Sequence, residues 1–285
     1  MRKTLAGKRI AITGGARGIG RSTAEAFAAA GASVVIGDID AVQVEKTAAA
    51  IAETSGAQVL GLALDVTDVA SFEAFLDTSS EEFGELDALV NNAGIMPTGS
   101  FLDESIELAD RQLAINTRGV IIGSKLAGRR FAERGNGHIV NVASILGLLS
   151  PPGAATYCAT KHAVVGLGEA LHQELEPLGV AVSTICPSFV NTELIDGLSP
   201  NWLARRIGFI EPGDVADSIL DAVASGRGGQ RIVPTSTGLA AKLLFPLPED
   251  LRNRISRLLG GHDTVAKADI EKRRAYIESV ELQSR

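Results

Sequence analysis

Short apolar runs rich in β-branched residues alternate along the chain with alanine-rich stretches of helical length. Seven of these runs are predicted to form strands. They are nearly continuously hydrophobic, as expected for strands that helices cover on both faces. The seven runs are Arg9 to Thr13, Ser33 to Gly37, Gln58 to Leu64, Ala88 to Asn91, His138 to Ala143, Ala181 to Cys186 and Arg231 to Pro234. Strands separated by helix-length segments favour a parallel sheet.

The alternation of strands and helices predicts one large domain. It continues to Pro234 without an internal repeat or a low-complexity linker, so residues 1–234 are predicted to form a single unit. The expected fold class is α/β, with a doubly wound, Rossmann-like parallel sheet of about seven strands and helices on both faces. Residues 235–285 are predicted to be a helical C-terminal extension and not an independent domain.

The extension contains one well-marked amphipathic helix. Its apolar residues fall at i, i+4, i+7 and i+8, at Leu251, Ile255, Leu258 and Leu259. Packing over a substrate cleft or against a neighbouring subunit is the favoured way to cover this stripe. Peripheral contact with an anionic membrane is the alternative, suggested by Arg252, Arg254 and Arg257 but weakened by the acids that follow them.

Charge and composition exclude several classes of function. The net charge of -7 argues against a nucleic-acid partner, because phosphate contacts need clustered Lys and Arg. No apolar run of about 18 uncharged residues occurs, which predicts a cytoplasmic protein. Cys158 and Cys186 are too few for a disulfide framework, and the histidines lack metal-ligand spacing, so no metal is expected. A small-molecule substrate is favoured.

A glycine-rich turn, Thr13-Gly14-Gly15-Ala16-Arg17-Gly18-Ile19-Gly20, follows the first predicted strand. A helix is predicted to begin near Arg21, and this strand-turn-helix context is what a dinucleotide-binding loop requires. Gly14 permits the tight turn, Gly18 lets the backbone approach a pyrophosphate, and Gly20 lets the helix pack closely on the strand. The helix N-terminus would supply N–H groups to the pyrophosphate.

Asp38 ends the second strand, at the separation from the glycines where an acid meets the adenosine ribose. A carboxylate there accepts hydrogen bonds from the ribose hydroxyls and repels a 2′-phosphate. Arg17 favours the opposite choice, since a basic residue in the turn can pair with that phosphate. Asp38 carries more weight because Arg17 can extend into solvent. The predicted cofactor is therefore NAD in preference to NADP.

Tyr157 and Lys161 lie one helical turn apart, thirteen residues after Ser144. A tyrosine hydroxyl ionises near pH ~10, and a neighbouring ammonium lowers that pKa by stabilising the phenolate. On a helix, residues i and i+4 share a face, which brings the lysine beside the tyrosine. Ser144 is expected to hold a substrate oxygen against Tyr157 while hydride moves to or from the cofactor.

Five motifs in order give the chain a resemblance to the short-chain dehydrogenase/reductase family over about Lys8 to Pro234. The glycine turn is similar to the family's cofactor loop. The catalytic tetrad is matched by Asn116, Ser144, Tyr157 and Lys161. The resemblance implies that Tyr157 is the acid/base and that Ser144 orients the substrate. It also implies that Lys161 binds the nicotinamide ribose and that Asn116 holds a water in a proton relay.

Further cofactor contacts follow from the same resemblance. Asn91-Asn92-Ala93-Gly94 resembles the fourth-strand motif, which makes Asn92, Ala93 and Gly94 cofactor-binding residues, and Asp65-Val66 resembles the pair that flanks the adenine ring. The segment from Pro187 to Thr192 resembles the one that holds the nicotinamide carboxamide, through the Val190 backbone and the Thr192 hydroxyl. Ser188 replaces the family's usual glycine, and its side chain is expected to narrow this space.

The residues expected around the reacting carbon are mainly apolar, which favours a steroid, terpenoid or lipid-derived alcohol. The long irregular stretch from Glu193 to Gly208 suits a lid that closes over substrate. The expected lining residues are Ile95, Met96, Ile145, Leu146, Leu148, Leu149, Leu194, Leu198, Trp202 and Phe209.

The sequence thus predicts an NAD-dependent oxidoreductase that interconverts a secondary alcohol and a ketone on an apolar substrate. One alternative is a 3-oxoacyl thioester reductase that uses NADPH and a basic docking surface including Arg129 and Arg130. A second is a non-catalytic dinucleotide-sensing protein, against which the intact tetrad argues. The resemblance also implies a homo-oligomer, a dimer or tetramer, formed through the helices around Arg111 to Phe131 and Thr156 to Glu176.

Overall fold

The computed structural model describes residues 4–195 and 209–237, together with Pro248, Asp250, Leu251, Arg254, Val265 and Arg273. The strands are β1 (Arg9–Thr13), β2 (Ser33–Asp38), β3 (Val59–Ala63), β4 (Ala88–Asn91), β5 (Gly137–Val142), β6 (Val180–Pro187), β7 (Phe189–Val190), β8 (Phe209–Ile210) and β9 (Gly229–Val233). Seven of them form a central parallel sheet, in the order β3-β2-β1-β4-β5-β6-β9. The predicted fold class is confirmed.

Seven α-helices accompany the sheet in the described part of the chain. They are α1 (Gly18–Ala29), α2 (Ala41–Ser55), α3 (Val69–Phe83), α4 (Ile106–Leu113), α5 (Val120–Arg134), α6 (Ala155–Leu175) and α7 (Pro212–Ser225). One apolar core joins α1, α2 and α7 to one face of the sheet, and a second joins α3, α5 and α6 to the other face. Both faces are therefore buried, which explains the almost continuous hydrophobicity of the strands.

Side-chain caps fix where several helices begin. Asp40 accepts a hydrogen bond from the Gln43 N–H at 3.0 Å and begins α2. Asp68 does the same for α3 through the Ser71 N–H at 2.6 Å. Ser105 begins α4 through the Leu108 N–H at 3.1 Å. Each cap satisfies one backbone donor that the first helical turn leaves without a partner.

The predicted strand boundaries needed small corrections. β1 and β4 match the prediction, while β3 is one residue shorter at each end and β9 begins two residues earlier than expected. The sequence pattern missed a second, two-stranded parallel sheet formed by β7 (Phe189–Val190) and β8 (Phe209–Ile210). Two-residue strands carry no periodicity from which they could be predicted.

The strand order sets the place of the functional site. β2 and β4 flank β1 on opposite sides, so the connections after β1 and β4 leave in opposite directions and open a crevice at the carboxyl ends of the strands. The predicted site residues that follow β1, β2, β4, β5 and β6 all emerge at this edge. No helix among the described residues is long and apolar enough to cross a membrane.

Candidate active site

A cleft of about 1380 Å³ occupies this edge of the sheet. It is lined by the glycine turn, by the residues after β2, β3 and β4, by one side of α4, and by Tyr157 and Lys161 of α6. The predicted cofactor-binding residues among its lining are Gly14, Arg17, Gly18, Ile19, Asp38, Asp65, Val66, Asn92, Ala93, Gly94, Tyr157, Lys161 and Thr192. A groove of this size and shape accommodates an extended dinucleotide.

The glycine turn is sterically restricted to glycine at the predicted positions. Gly14 and Gly18 have φ values of 65° and 53°, in the left-handed region that favours glycine. A Cβ on Gly14 would lie 2.8 Å from the Ala93 Cα, and one on Gly20 would lie 2.1 Å from the Gly14 carbonyl oxygen. Gly20 therefore packs α1 against the turn.

The helix that follows the turn begins earlier than predicted, at Gly18 and not near Arg21. Its N-cap residue, Arg17, makes no side-chain capping bond. The N–H groups of the first helical turn therefore face the cleft, where an anionic phosphate would accept hydrogen bonds from them. The residues present therefore fit a dinucleotide.

Asn92 joins β4 to the glycine turn. Its amide donates to the carbonyl oxygens of Thr13 and Gly14 at 2.9 and 3.0 Å. The backbone N–H groups of Asn92 and Ala93 donate to the Thr13 hydroxyl, each at 3.0 Å. Asn92 therefore shapes the binding loop, a structural role in addition to the cofactor contact that the resemblance implies.

Two carboxylates, Asp38 and Asp40, lie at the end of β2, whereas the sequence predicted only Asp38 as a cofactor-binding residue. Asp38 accepts hydrogen bonds from the backbone N–H groups of Ala16 at 3.1 Å and Asp40 at 3.2 Å. Asp40 in turn forms an ion pair with Arg17, with Nη2 2.8 Å from Oδ2. The Arg17 side chain is 57% exposed, so this pair holds it only weakly.

Asp65 and Val66 line the cleft beyond β3, as their resemblance to an adenine-flanking pair implies. The Asp65 carboxylate accepts the Thr67 N–H at 2.8 Å and the Thr67 hydroxyl at 2.7 Å, which fixes the turn. Val66 packs where a Cβ on Gly119 would approach its Cγ2 to 3.0 Å. A larger residue at position 119 would therefore have to displace Val66 by a few tenths of an ångström.

Lys161 is buried at the inner end of the cleft. Its side chain reaches across from α6, and its Nζ donates to the Val142 carbonyl oxygen at 3.0 Å, where β5 ends. The Nζ lies 5.7 Å from the centre of the Tyr157 ring. Burial lowers the pKa of Lys161 from 10.5 to about 8, against a smaller opposing effect of Cys186. The predicted pairing of Tyr157 and Lys161 on one helix face is present.

Ser144 follows β5 and begins a short 3-10 turn, Ile145–Gly147. Its Oγ accepts the Leu146 N–H at 3.1 Å, and the residue is buried. Because the hydroxyl acts as an acceptor in this bond, its own proton can be donated to a further oxygen. Ser144 and Tyr157 both adjoin the apolar residues described below.

Asn116 lies in a π-helical turn, Ala114–Gly119, between α4 and α5. The side chain is completely buried, and its amide exchanges two hydrogen bonds of 2.8 Å with the backbone of Ile95. It also donates to the Thr160 hydroxyl at 3.2 Å. Asn116 thus fixes the segment after β4 against α6, and a water relay at this residue would need its backbone groups rather than its side-chain amide.

The segment after β6 continues into β7. The Ser188 N–H donates to the Val233 carbonyl oxygen at 2.8 Å, and no non-glycine residue in the described chain has a positive φ. Serine in place of glycine therefore causes no backbone strain here. Thr192 lines the cleft, while Pro187 and Val190 are buried beneath it. Any contact of Val190 with a cofactor would run through its backbone, as the resemblance implies.

An apolar cluster contains Tyr157. Most of the predicted substrate-lining residues belong to it, and Ile95 lines the neighbouring cleft. Phe209 packs on Phe189, with ring centres 5.4 Å apart. Leu198, Trp202 and most of the predicted lid lie outside the described residues. The members of the cluster are Met96, Ile145, Leu146, Leu148, Leu149, Ala154, Tyr157, Cys158, Phe189, Leu194, Ile195, Ile232 and Val265.

Sequence reasoning missed several residues of this region. Asp40 could have been found from its position two residues after Asp38. Phe189 lay inside a recognised motif but was not assigned to the substrate side. Val265 and Arg273, from the C-terminal extension, are buried against the apolar cluster and its flanking loops, and no local pattern in the sequence indicates this contact.

Comparison with known proteins identifies the family. The short chain dehydrogenase pattern matches residues 8–201, and the chain belongs to the short-chain dehydrogenase/reductase family. Members bind a nicotinamide dinucleotide and act as oxidoreductases.

Three relatives illustrate the range of similar proteins. The chain is 38% identical to the probable oxidoreductase EphD of Mycobacterium tuberculosis, over 86% of this chain but 44% of EphD, so it spans less than half of that protein. It is 39% identical to the 2,5-dichloro-2,5-cyclohexadiene-1,4-diol dehydrogenase LinX of Sphingobium indicum, over 77% of this chain and 87% of LinX. A 3-alpha-(or 20-beta)-hydroxysteroid dehydrogenase of Mycobacterium tuberculosis is 35% identical over 83% of this chain and 92% of the relative.

Solved structures agree with the fold. A short-chain dehydrogenase/reductase from Burkholderia phymatum in complex with NAD has a TM-score of 0.75 and 30% identity, covering 89% of this chain and 96% of its own. A 3-ketoacyl-(acyl-carrier-protein) reductase from Brucella melitensis complexed with NADH has a TM-score of 0.73 and 31% identity. The match covers 80% of this chain and 97% of the reductase chain.

Proposed function

We propose that this protein is an NAD-dependent dehydrogenase that interconverts a secondary alcohol and a ketone on a mainly apolar, cyclic substrate. The observation that carries the proposal is the buried Lys161 ammonium beside Tyr157, with Ser144 next to the same apolar cluster. A cation enclosed at a tyrosine favours the phenolate, and a phenolate can accept the proton of an alcohol.

Each polar residue has a distinct task in oxidation of the alcohol. Ser144 donates a hydrogen bond from its hydroxyl to the substrate oxygen and so holds that oxygen at Tyr157. Tyr157 accepts the alcohol proton as the carbon–oxygen double bond forms, and returns it when the reaction runs as a reduction. Lys161 stabilises the phenolate throughout. The nicotinamide supplies, when bound, the acceptor for the hydride that leaves the carbinol carbon.

The cofactor is NAD rather than NADP on this proposal. Asp38 and Asp40 both line the cleft, and a 2′-phosphate on a ribose bound beside them would meet their negative charge. Arg17 is the one nearby cation of the glycine turn, and Asp40 already pairs with it. The solved Burkholderia relative in complex with NAD is compatible with this choice.

The substrate is inferred from the apolar surface that adjoins Tyr157. Aliphatic and aromatic side chains on that side favour a hydrocarbon skeleton bearing one reactive hydroxyl. The names of two relatives describe dehydrogenases of a cyclic diol and of hydroxysteroids, which supports a ring-bearing secondary alcohol. Arg130 pairs with Asp77 at 2.7 Å, which reduces the basic surface expected of an acyl-carrier-linked reductase.

A homodimer or tetramer completes the proposal. The outer side of α6 carries the exposed small residues Ala159, Ala163 and Gly166, and Ile121 on α5 is 43% exposed. Small side chains let two helices approach closely, and we propose that these two helices meet their counterparts in a second copy.

The function is tested by assaying NAD reduction with hydroxysteroids, terpenoid alcohols and cyclic diols, with a 3-oxoacyl thioester and NADPH as the competing arm. Tyr157→Phe removes the proton acceptor, so kcat should fall by on the order of 100-fold or more while the Kd for NAD changes less than about twofold. Substantial turnover by Tyr157→Phe would remove Tyr157 from the acid/base role, and NAD binding without any turnover would favour the dinucleotide-sensing alternative.

The cofactor preference is tested by titrating NAD and NADP calorimetrically. Asp38→Asn keeps an oxygen to accept the Ala16 N–H but removes the charge, so the preference for NAD should shrink by about tenfold, or about 1.4 kcal/mol. Asp40→Asn, which leaves the bond to Ala16 untouched, separates the two carboxylates. NADP binding as tight as NAD in the unmodified protein would contradict the proposal.

Self-association is tested by light scattering at micromolar concentration. The unmodified chain should have the mass of a dimer or tetramer, and Ala163→Glu should shift it toward the monomer because a charge would be buried between helices. Ala49→Glu, on the exposed side of α2, is the control. A monomeric unmodified chain would refute this part of the proposal.

A further inference from the structure

A buried arginine from the C-terminal extension joins the two loops that border the substrate side. Arg273 is 1% exposed. Its Nη2 donates to the Met96 carbonyl oxygen at 2.6 Å, and both Nη atoms reach the Leu194 carbonyl oxygen, at 3.2 and 3.3 Å. These carbonyls lie 177 and 79 residues earlier in the chain, so one guanidinium connects three distant segments.

The two loops are the ones that carry the candidate site. Met96 directly follows Ile95, whose backbone is held by Asn116. Leu194 follows Thr192, which lines the cofactor cleft. Arg273 therefore closes a chain of hydrogen bonds that begins at the tetrad residue Asn116 and ends at the segment expected to hold the nicotinamide.

A second residue of the extension reaches the same place. Val265 is 2% exposed and belongs to the apolar cluster that contains Tyr157, Met96 and Leu146. The side chains of Met96 and Leu194 join that cluster while their carbonyls bind Arg273. The extension therefore contributes both an apolar surface and a cation to the substrate side.

The chemistry of arginine suits this position. The guanidinium is a planar fork of five N–H donors, so it can bind two carbonyl oxygens from different loops at once. Carbonyls in buried loops need such donors, because a buried backbone acceptor without a partner is costly.

We propose that Arg273 is a specificity-determining positioning residue, which together with Val265 forms part of one wall of the substrate pocket and sets the spacing of the Met96 and Leu194 loops. The proposal rests on the proposed function for its substrate and on the contacts above for its geometry. Arg273 acts through the Met96 and Leu194 loops and does not touch the reacting atoms. Removing it should loosen the pocket and leave the NAD-binding half of the cleft intact.

A thiol provides a readout that needs no turnover. Cys158 is 4% exposed and lies in the same apolar cluster as Val265. Burial raises the pKa of Cys158 to about 11, which adds to its protection from thiol reagents. If Arg273 holds Val265 in this cluster, losing the arginine should expose Cys158.

The test uses the full chain with Arg273→Met and Arg273→Lys, and with Arg254→Met, which removes an exposed arginine of the same extension, as control. Labelling by a disulfide reagent is measured in a Cys186→Ala background, so that Cys158 is the reporting thiol. Arg273→Met should label at least about tenfold faster than the parent, Arg273→Lys to an intermediate extent because it keeps the charge without the fork, and Arg254→Met at the parental rate.

Kinetics in the protein with both cysteines give the second readout. For a ring-bearing alcohol, Arg273→Met should raise KM by about tenfold or more while the Kd for NAD stays within about twofold. Unchanged labelling together with unchanged KM would overturn the proposal, and so would parallel loss of NAD binding, because the effect would then not be confined to the substrate side. A parent chain without dehydrogenase activity would refute the proposed function, while the labelling rates would still decide the role of Arg273.

Discussion

The site depends on keeping the Lys161 ammonium inside the protein. One carbonyl oxygen at the end of β5 accepts a hydrogen bond from this ammonium, and α6 holds the lysine one turn from Tyr157. The pKa of Lys161 is about 8 in the folded protein and 10.5 in the unfolded chain. Because the folded value is lower, the charged side chain reduces the free energy of unfolding at neutral pH by roughly 3 kcal/mol. This destabilisation is fully present below pH 8, decreases between pH 8 and 10.5, and is absent above pH 10.5. We attribute this cost to function, since the same enclosed charge stabilises a phenolate.

The rest of the fold places partners around that cation. The strand order brings the ends of β1, β4 and β5 together, so that a glycine turn, an asparagine-rich loop and Ser144 share one edge. Gly94 leaves room beside Lys161, since a Cβ there would lie 3.6 Å from its Nζ and 3.2 Å from the Asn116 Oδ1. The π-helical turn then directs the Asn116 amide into this space. π-Helical turns are frequently found at functional sites.

The sequence was sufficient for features that are local. Apolar runs predicted the seven strands of the main sheet, and the spacing of Tyr157 and Lys161 predicted their shared helix face. It was insufficient where long-range contacts decide the outcome. The β7–β8 pair, the bonds of Asn116 to Ile95 and the reach of Arg273 to Met96 all join residues whose pairing leaves no periodic or local signature. Asp38 lies between these cases, because its place was predictable but its bond to the Ala16 N–H was not.

The most direct test of the central claim is the pKa of the Lys161 ammonium, measured by NMR titration of carbon-labelled lysine side chains and assigned by the loss of its signal in Lys161→Met. Burial of the ammonium predicts a titration near pH 8 in the protein without cofactor. A Lys161 signal that titrates at 10.5 or above would mean that the ammonium is hydrated or otherwise paired, and would contradict the account of how Tyr157 is activated.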